Sequence, residues 1–290
     1  VPPLAGALLA VLFWGVSFVV TKAVVGALSP VTLIFARSLL GTLTLVALLA
    51  ARGELRVPPL GEWRYLAAMG FVGVAFHQVL QAWALTLTSA TNTGWLVAIT
   101  PLWSALLAAL KLRERIGPMK VAGLLLGFAG AGAVVARGNP AGLLALPATR
   151  GDLLILLGTF NWAFYTVLGH GTIRRIGPAR ASAGALLVGT LLLLPLFAAG
   201  PGVSELVRLP PLGWAAIGFL GVACSGLGYY FWYGALEKVE ASRVASLLYL
   251  EPLITMAGAV AFLHEPAALS TVAGGALLIA GVVLVQRARS

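Results

Sequence analysis

The chain has 290 residues, of which 60% are hydrophobic and 10% charged, with a mean hydropathy of +0.99. A soluble domain carries about 25% charged residues, so no water-soluble core accounts for this much apolar surface, and the alternating pattern of a membrane β-barrel is absent. A net charge of +10 in a soluble protein would point to nucleic acid, but here the basic residues cluster between long apolar runs and no nucleic-acid partner is expected.

Ten apolar runs approach the ~20 residues that cross a bilayer as a helix. They cover roughly 4–28, 31–51, 63–87, 90–111, 118–136, 152–173, 180–199, 211–236, 243–263 and 267–286. Connections such as Ser29-Pro30 and Thr88-Ser89 are very short, so helical hairpins are the building unit. The longest polar interruptions fall at about 52–62, 137–151 and 200–210, and the middle one, rich in Gly and Pro, divides the chain into 1–140 and 141–290. No signal peptide is expected. Cys224 is the one cysteine, which excludes a disulfide framework or a Cys-based metal site.

The two parts repeat one another. Trp14 matches Trp162 and Pro30 matches Pro178 at an offset of 148, as does Gly70-Phe71-Val72-Gly73 with Gly218-Phe219-Leu220-Gly221. Pro101 and Glu114 match Pro252 and Glu265 at an offset of 151. A repeat of five spans enters the membrane from opposite sides in its two copies, an arrangement that recurs in transporters with the substrate between the copies. Loops after the second, fourth, sixth and eighth spans, with the C-terminus, hold 14 of the 19 Lys and Arg residues, against three (Arg137, Arg150, Arg208) on the other side. The positive-inside bias therefore predicts cytoplasmic N- and C-termini. The expected fold is all-α: ten transmembrane helices as two inverted five-helix repeats around a central cavity.

Candidate site residues follow in chain order. Trp14, Ser17 and Thr21 share one face of the first span. In the third, His77 lies about 14 residues in, or ~20 Å by helical rise, where an ionisable group faces a wet cavity or a partner. Gln78 is adjacent and Gln81 follows one turn later. Asn92 and Trp95 share a face of the fourth span, Trp162 and Tyr165 of the sixth, and Ser246 and Tyr249 of the ninth. Rings beside amides and hydroxyls suit an amphipathic organic ligand. The alternatives are a His satisfied by a neighbouring helix and Trp residues in the interfacial belt, as expected for Trp63 and Trp214.

Eight residues separate Ala75 from the next matched Ala84, but eleven separate Ala223 from Ala235. The second stretch holds Ser225, Tyr229, Tyr230, Trp232 and Tyr233, so symmetry breaks where an asymmetric ligand would sit, or through a kink near Gly226 and Gly228. Glu251 is the acidic residue placed deep in a span, with Lys22 and Arg37 as available ion-pair partners. Pro101 and Pro252 are expected to bend spans four and nine. Gly123, Gly127 and Gly274 allow close helix approach, more readily within the chain than in a dimer.

Phe13-Trp14-Gly15-Val16-Ser17-Phe18, Lys22, Ser29-Pro30 and Phe35-Ala36-Arg37 resemble the opening of the EamA repeat of the drug/metabolite transporter superfamily. Thr100-Pro101-Leu102 with Leu112-Arg113-Glu114 resembles its fourth helix, and Leu250-Glu251-Pro252-Leu253 with His264-Glu265-Pro266 its ninth. Within the superfamily the chain is most similar to amino-acid exporters of the YddG type. The second copy departs from the pattern, with Ala163 after Trp162, and His170 and Ala185 opposite Lys22 and Arg37.

The resemblance implies a secondary transporter of a bacterial inner membrane that exports small amphipathic metabolites, neutral or aromatic amino acids first. A nucleotide-sugar or drug/cation carrier of the same superfamily is the alternative, and a lipid-modifying membrane enzyme a remote one. The expected partners are a small-molecule substrate and the lipid bilayer, with a monomer expected and a dimer the alternative. No cofactor or metal is expected, since His77, His170 and His264 are dispersed and no nucleotide-binding motif is present.

Overall fold

The computed structural model describes residues 1–112, 117–137, 139 and 146–288. Among these every regular element is helical, and nine helices are long and apolar enough to cross a membrane. The first pair is α1 (Pro3–Val24) and α2 (Pro30–Ala51). Ser29 caps α2 by accepting from Thr32 N, and Pro30 fills the first turn, where its missing N–H costs nothing.

The third span is continuous from residue 60 to 87, but not uniform. It comprises a 3-10 turn at Leu60–Glu62, α3 (Trp63–Met69), a π-helical segment at Gly70–Phe76, and α4 (His77–Leu87). The eighth repeats this plan: α11 (Pro211–Gly218), a π segment at Phe219–Leu227, then α12 (Gly228–Leu236). A π turn widens the helix and leaves carbonyls open to other donors. In both cases a donor comes from the other half of the chain. Trp14 Nε1 donates to Cys224 O at 3.1 Å, and Asn161 Nδ2 donates to Val72 O at 2.9 Å.

The fourth expected span is two shorter helices, α5 (Ala90–Val97) and α6 (Thr100–Leu112), and is not among the nine. The break falls immediately before Pro101. α7 (Pro118–Ala136) follows, then α8 (Leu146–Ile176), which starts inside the stretch expected to be a polar linker. Next come α9 (Pro178–Ala199) and a short surface helix, α10 (Gly202–Val207). The ninth span mirrors the fourth: α13 (Ala241–Ser246), a 3-10 turn (Leu247–Leu250) and α14 (Glu251–Leu263), with the break ending just before Pro252. α15 (Leu269–Arg287) completes the chain.

α7 and α15 pack closely through their glycines. A Cβ on Gly130 would lie 2.4 Å from Leu278 N, and one on Gly281 2.3 Å from Gly127 N. Gly123 and Gly274 take part in the same contact, so the small-residue faces are used within the chain. Glu114, with Arg113 and Arg115, lies outside the described residues. Its counterpart Glu265 caps α5, with Ala90 N and Thr91 N donating to its carboxylate at 2.8 and 2.9 Å. A carboxylate at a helix N-terminus satisfies free amides and complements the helix dipole.

Candidate functional site

A cavity of about 760 Å³ lies among α1, α4, α6, α8, α12 and the break in the ninth span. Its inner part is lined by Trp14, Ser17, His77, Gln78, Gln81 and Trp162. From there the lining runs through Thr166 and His170 of α8, Tyr233 and Leu236 of α12, and Tyr249, to Lys120 and Gln286 at the helix ends nearest the chain termini. The cavity therefore extends from mid-span toward the terminus-bearing face.

The inner wall is built from aromatic pairs. His77 lies against Trp162 with ring centroids 4.9 Å apart, and Trp162 stacks on Tyr165 at 4.9 Å. Trp14 meets Tyr229 at 5.7 Å and Trp232 at 5.3 Å. The His77 and Gln78 side chains are buried, at 7% and 6% exposure; His77 lies against Gly158 of α8, and Gln78 Oε1 has no hydrogen-bond partner. Buried polar atoms are ordinarily satisfied, so the Gln78 carbonyl is an exception in this arrangement. Arg37 also lines the cavity, its guanidinium steered by Nε donating to Ser225 Oγ at 2.8 Å.

At the opposite face a polar cluster ties α1, α4, α5, α7 and α8 together. Asp152, with its side chain fully buried, accepts from Thr88 Oγ1, from Asn92 Nδ2 at 3.1 and 3.3 Å, and from Arg137 at 3.2 Å. Lys22 Nζ donates to Leu85 O at 2.6 Å and Thr88 O at 2.7 Å, the free carbonyls at the end of α4. A second contact on this face has Ser29 N and Oγ donating to Glu205 Oε2 at 3.1 and 2.9 Å. Burial pushes the Glu205 carboxyl up, but hydrogen bonds from Thr32 and Ser29 outweigh it and hold the group below the usual carboxylate range.

Eight of the twelve residues singled out in the sequence line the cavity: Trp14, Ser17, His77, Gln78, Gln81, Trp162, Tyr229 and Tyr249. The other four lie elsewhere. Asn92 is bound to Asp152, and Trp95 is buried against Gly275 in a core between α5, α7, α8 and α15. Tyr165 stands behind Trp162 and packs on Gly73, while Ser246 Oγ donates to Arg243 O of its own turn. Glu251 lines the cavity and pairs with neither Lys22 nor Arg37, since Lys22 is taken by the α4 carbonyls. Sequence reasoning passed over Ser104, Thr159 and Gln286. Thr159 accepts from Trp103 Nε1 at 3.1 Å, and Gln286 Oε1 accepts from Tyr249 OH. Ser104 and Thr159 were isolated polar residues in apolar helices, and that was their only signal. Asp152 was passed over because a carboxylate at a span boundary reads as an ordinary helix-end charge.

A model of the EamA-like transporter family matches residues 2–136 and again 149–287. The chain belongs to the EamA-like transporter family. An Archaeoglobus fulgidus protein named an uncharacterized transporter is 34% identical over 95% of this chain and 94% of its own length. A Streptantibioticus cattleyicolor protein named "Probable terminal-alkyne amino-acid exporter" is 29% identical over 85% of this chain and 81% of its own. An Escherichia coli protein named an uncharacterized inner membrane transporter, YedA, is 27% identical over 88% and 81%. A solved crystal structure shares the fold, with a TM-score of 0.66 over 97% of this chain and 95% of its own at 22% identity.

Proposed function

We propose that this EamA-family transporter exports small amphipathic metabolites, neutral and aromatic amino acids first, across a bacterial inner membrane by alternating access. The observation that carries this reading is the cavity. It is wide enough for a small organic molecule, walled by rings that stack on apolar groups, and lined between them by amide, hydroxyl and imidazole side chains. It extends toward one face, while Asp152, Lys22 and Glu265 gather the helix ends at the other.

With the termini cytoplasmic, as the charge bias argues, this is an inward-open arrangement, the state in which an exporter collects substrate. The matched breaks before Pro101 and Pro252 and the matched π segments support two inverted five-helix repeats with the substrate between them. The amino-acid exporter among the relatives favours that substrate class. A nucleotide sugar would need phosphate-neutralising cations; Lys22 is committed to the α4 carbonyls, and Arg37 on the cavity wall is directed at Ser225. The transporter names of the relatives weigh against a membrane enzyme.

The test is counterflow in proteoliposomes loaded with unlabelled amino acid. Saturable uptake of labelled phenylalanine or leucine, reduced in His77→Ala and Trp162→Ala, is the expected result. Uptake equal to that of empty liposomes for every neutral amino acid overturns the substrate assignment. Repeating the assay with and without an imposed proton gradient separates coupled from facilitated movement.

A further inference from the structure

Glu251 is the one carboxylate among the described residues that line the cavity. It opens α14 at the mid-span break of the ninth span, preceded by the 3-10 turn and followed by Pro252. Among the described residues no ion pair or hydrogen bond reaches its side-chain oxygens. Its backbone oxygen is engaged, accepting from Thr255 Oγ1 at 2.9 Å.

An acidic side chain at membrane depth is costly unless a cation or a wet cavity compensates it. The elements packed on α14 are α1, α5 and the 3-10 turn. α1 brings Lys22, already held by Leu85 O and Thr88 O; α5 has no titratable residue; the turn brings Tyr249, whose hydroxyl is bound to Gln286. The other charged or titratable groups on the cavity wall are Arg37, Lys120, His77, His170, Tyr229 and Tyr233. Arg37 is directed at Ser225.

The position is also one-sided. At the matched place in the first half, 151 residues earlier, stands Thr100, which lines the same cavity without charge. The cavity thus offers a single acidic group in a lining that also includes Trp14, Tyr229 and Trp232. A carboxylate that shares a cavity with aromatic rings is the chemistry that recognises an organic ammonium.

We propose that the Glu251 carboxylate is the subsite for the ammonium group of the substrate, so that the transported class carries a protonated amine. This rests on the transport function proposed above and narrows it.

The test uses purified full-length protein in nanodiscs, with binding read by quenching of tryptophan fluorescence. Three probes share one ring: phenylalanine, phenethylamine (amine without carboxylate) and 3-phenylpropionate (carboxylate without amine). Phenethylamine is expected to bind and 3-phenylpropionate to fail on the wild type, a comparison that needs no variant. Glu251→Gln is expected to weaken phenethylamine about ten- to hundredfold, the worth of a hydrogen bond to a charged group. Glu251→Asp should recover part of that loss.

Equal binding of 3-phenylpropionate and phenethylamine to the wild type overturns the proposal. So does unchanged phenethylamine affinity in Glu251→Gln, including the case where only the proton-gradient dependence of counterflow is lost, which would make Glu251 a coupling group. Glu251-dependent phenethylamine binding without amino-acid counterflow upholds the subsite and refutes the amino-acid reading. Amino-acid counterflow indifferent to Glu251→Gln does the reverse.

Discussion

Removing the Asp152 carboxylate should unlatch the face opposite the termini. The side chain is 0% exposed and accepts from Thr88, Asn92 and Arg137. In Asp152→Ala the Arg137 guanidinium, 45% exposed, can be rehydrated at little cost. Asn92 Nδ2 and Thr88 Oγ1 cannot, because both residues are 4% exposed. Two buried donors without acceptors cost about 1–3 kcal/mol each, or roughly 2–6 kcal/mol together. If opening this face wets the same groups, the whole cost falls on the closed arrangement. A middle value of about 3 kcal/mol moves the equilibrium about 150-fold toward opening. The readout is a cysteine placed at Ser17 in a Cys224→Ala background, which removes the chain's one native thiol. A membrane-impermeant maleimide is applied from the face opposite the termini, on intact spheroplasts if the termini are cytoplasmic. Labelling should rise on the order of 100-fold in Asp152→Ala and less in Asp152→Asn, which keeps one acceptor oxygen. Unchanged labelling in a variant that still elutes as folded protein would refute the latch.

Other expectations follow from particular contacts. Trp162→Ala removes a ring from the cavity wall, and loss of one aromatic contact with the proposed substrate, about 0.5–1.5 kcal/mol, should raise the counterflow KM two- to tenfold or so. Trp14→Phe keeps the ring but strands Cys224 O in its π segment, lowering the melting temperature by the equivalent of about 1–3 kcal/mol; an unchanged melting curve would show that carbonyl to be satisfied otherwise. Gly130→Leu would drive a side chain into the α15 backbone at Leu278, so a monodisperse protein should not be recovered by size exclusion, whereas Gly132→Ala, with nothing within 4 Å of the added carbon, should behave as wild type. Glu205 sits below its unfolded value, so its contribution is complete at neutral pH and disappears as pH falls through the lower, folded value; melting of Glu205→Gln should converge on wild type in acid and fall short of it at pH 7.

What was legible in the sequence was what hydrophobic run length and proline placement determine. Nine of the ten expected spans and the short hairpin connections follow from run length, and the prolines expected to bend the fourth and ninth instead mark where each is interrupted. The start of α8 at Leu146 did not, because the Gly and Pro content of 137–151 masked a helix beginning inside it. The π segments have no residue signature. The three-residue difference between Ala75–Ala84 and Ala223–Ala235 marked the region without naming its cause. Facing of side chains was legible where a helix offers one polar stripe, as for His77, Gln78 and Gln81. It failed where two neighbours compete for a polar group, as when Asp152 rather than the cavity takes Asn92.

The crossed bonds at the two wide turns bear on how such a chain can be divided or duplicated. Each half leaves a main-chain oxygen that the other half must reach, Cys224 O for Trp14 and Val72 O for Asn161. The donors are not interchangeable. Position 161 corresponds to Phe13 at the offset of 148, so a pair of first halves would set a phenyl ring where Val72 O needs an amide. Cut at the linker and expressed as two fragments, the halves should find each other, but the first half, which lacks the amide, should not assemble with a copy of itself.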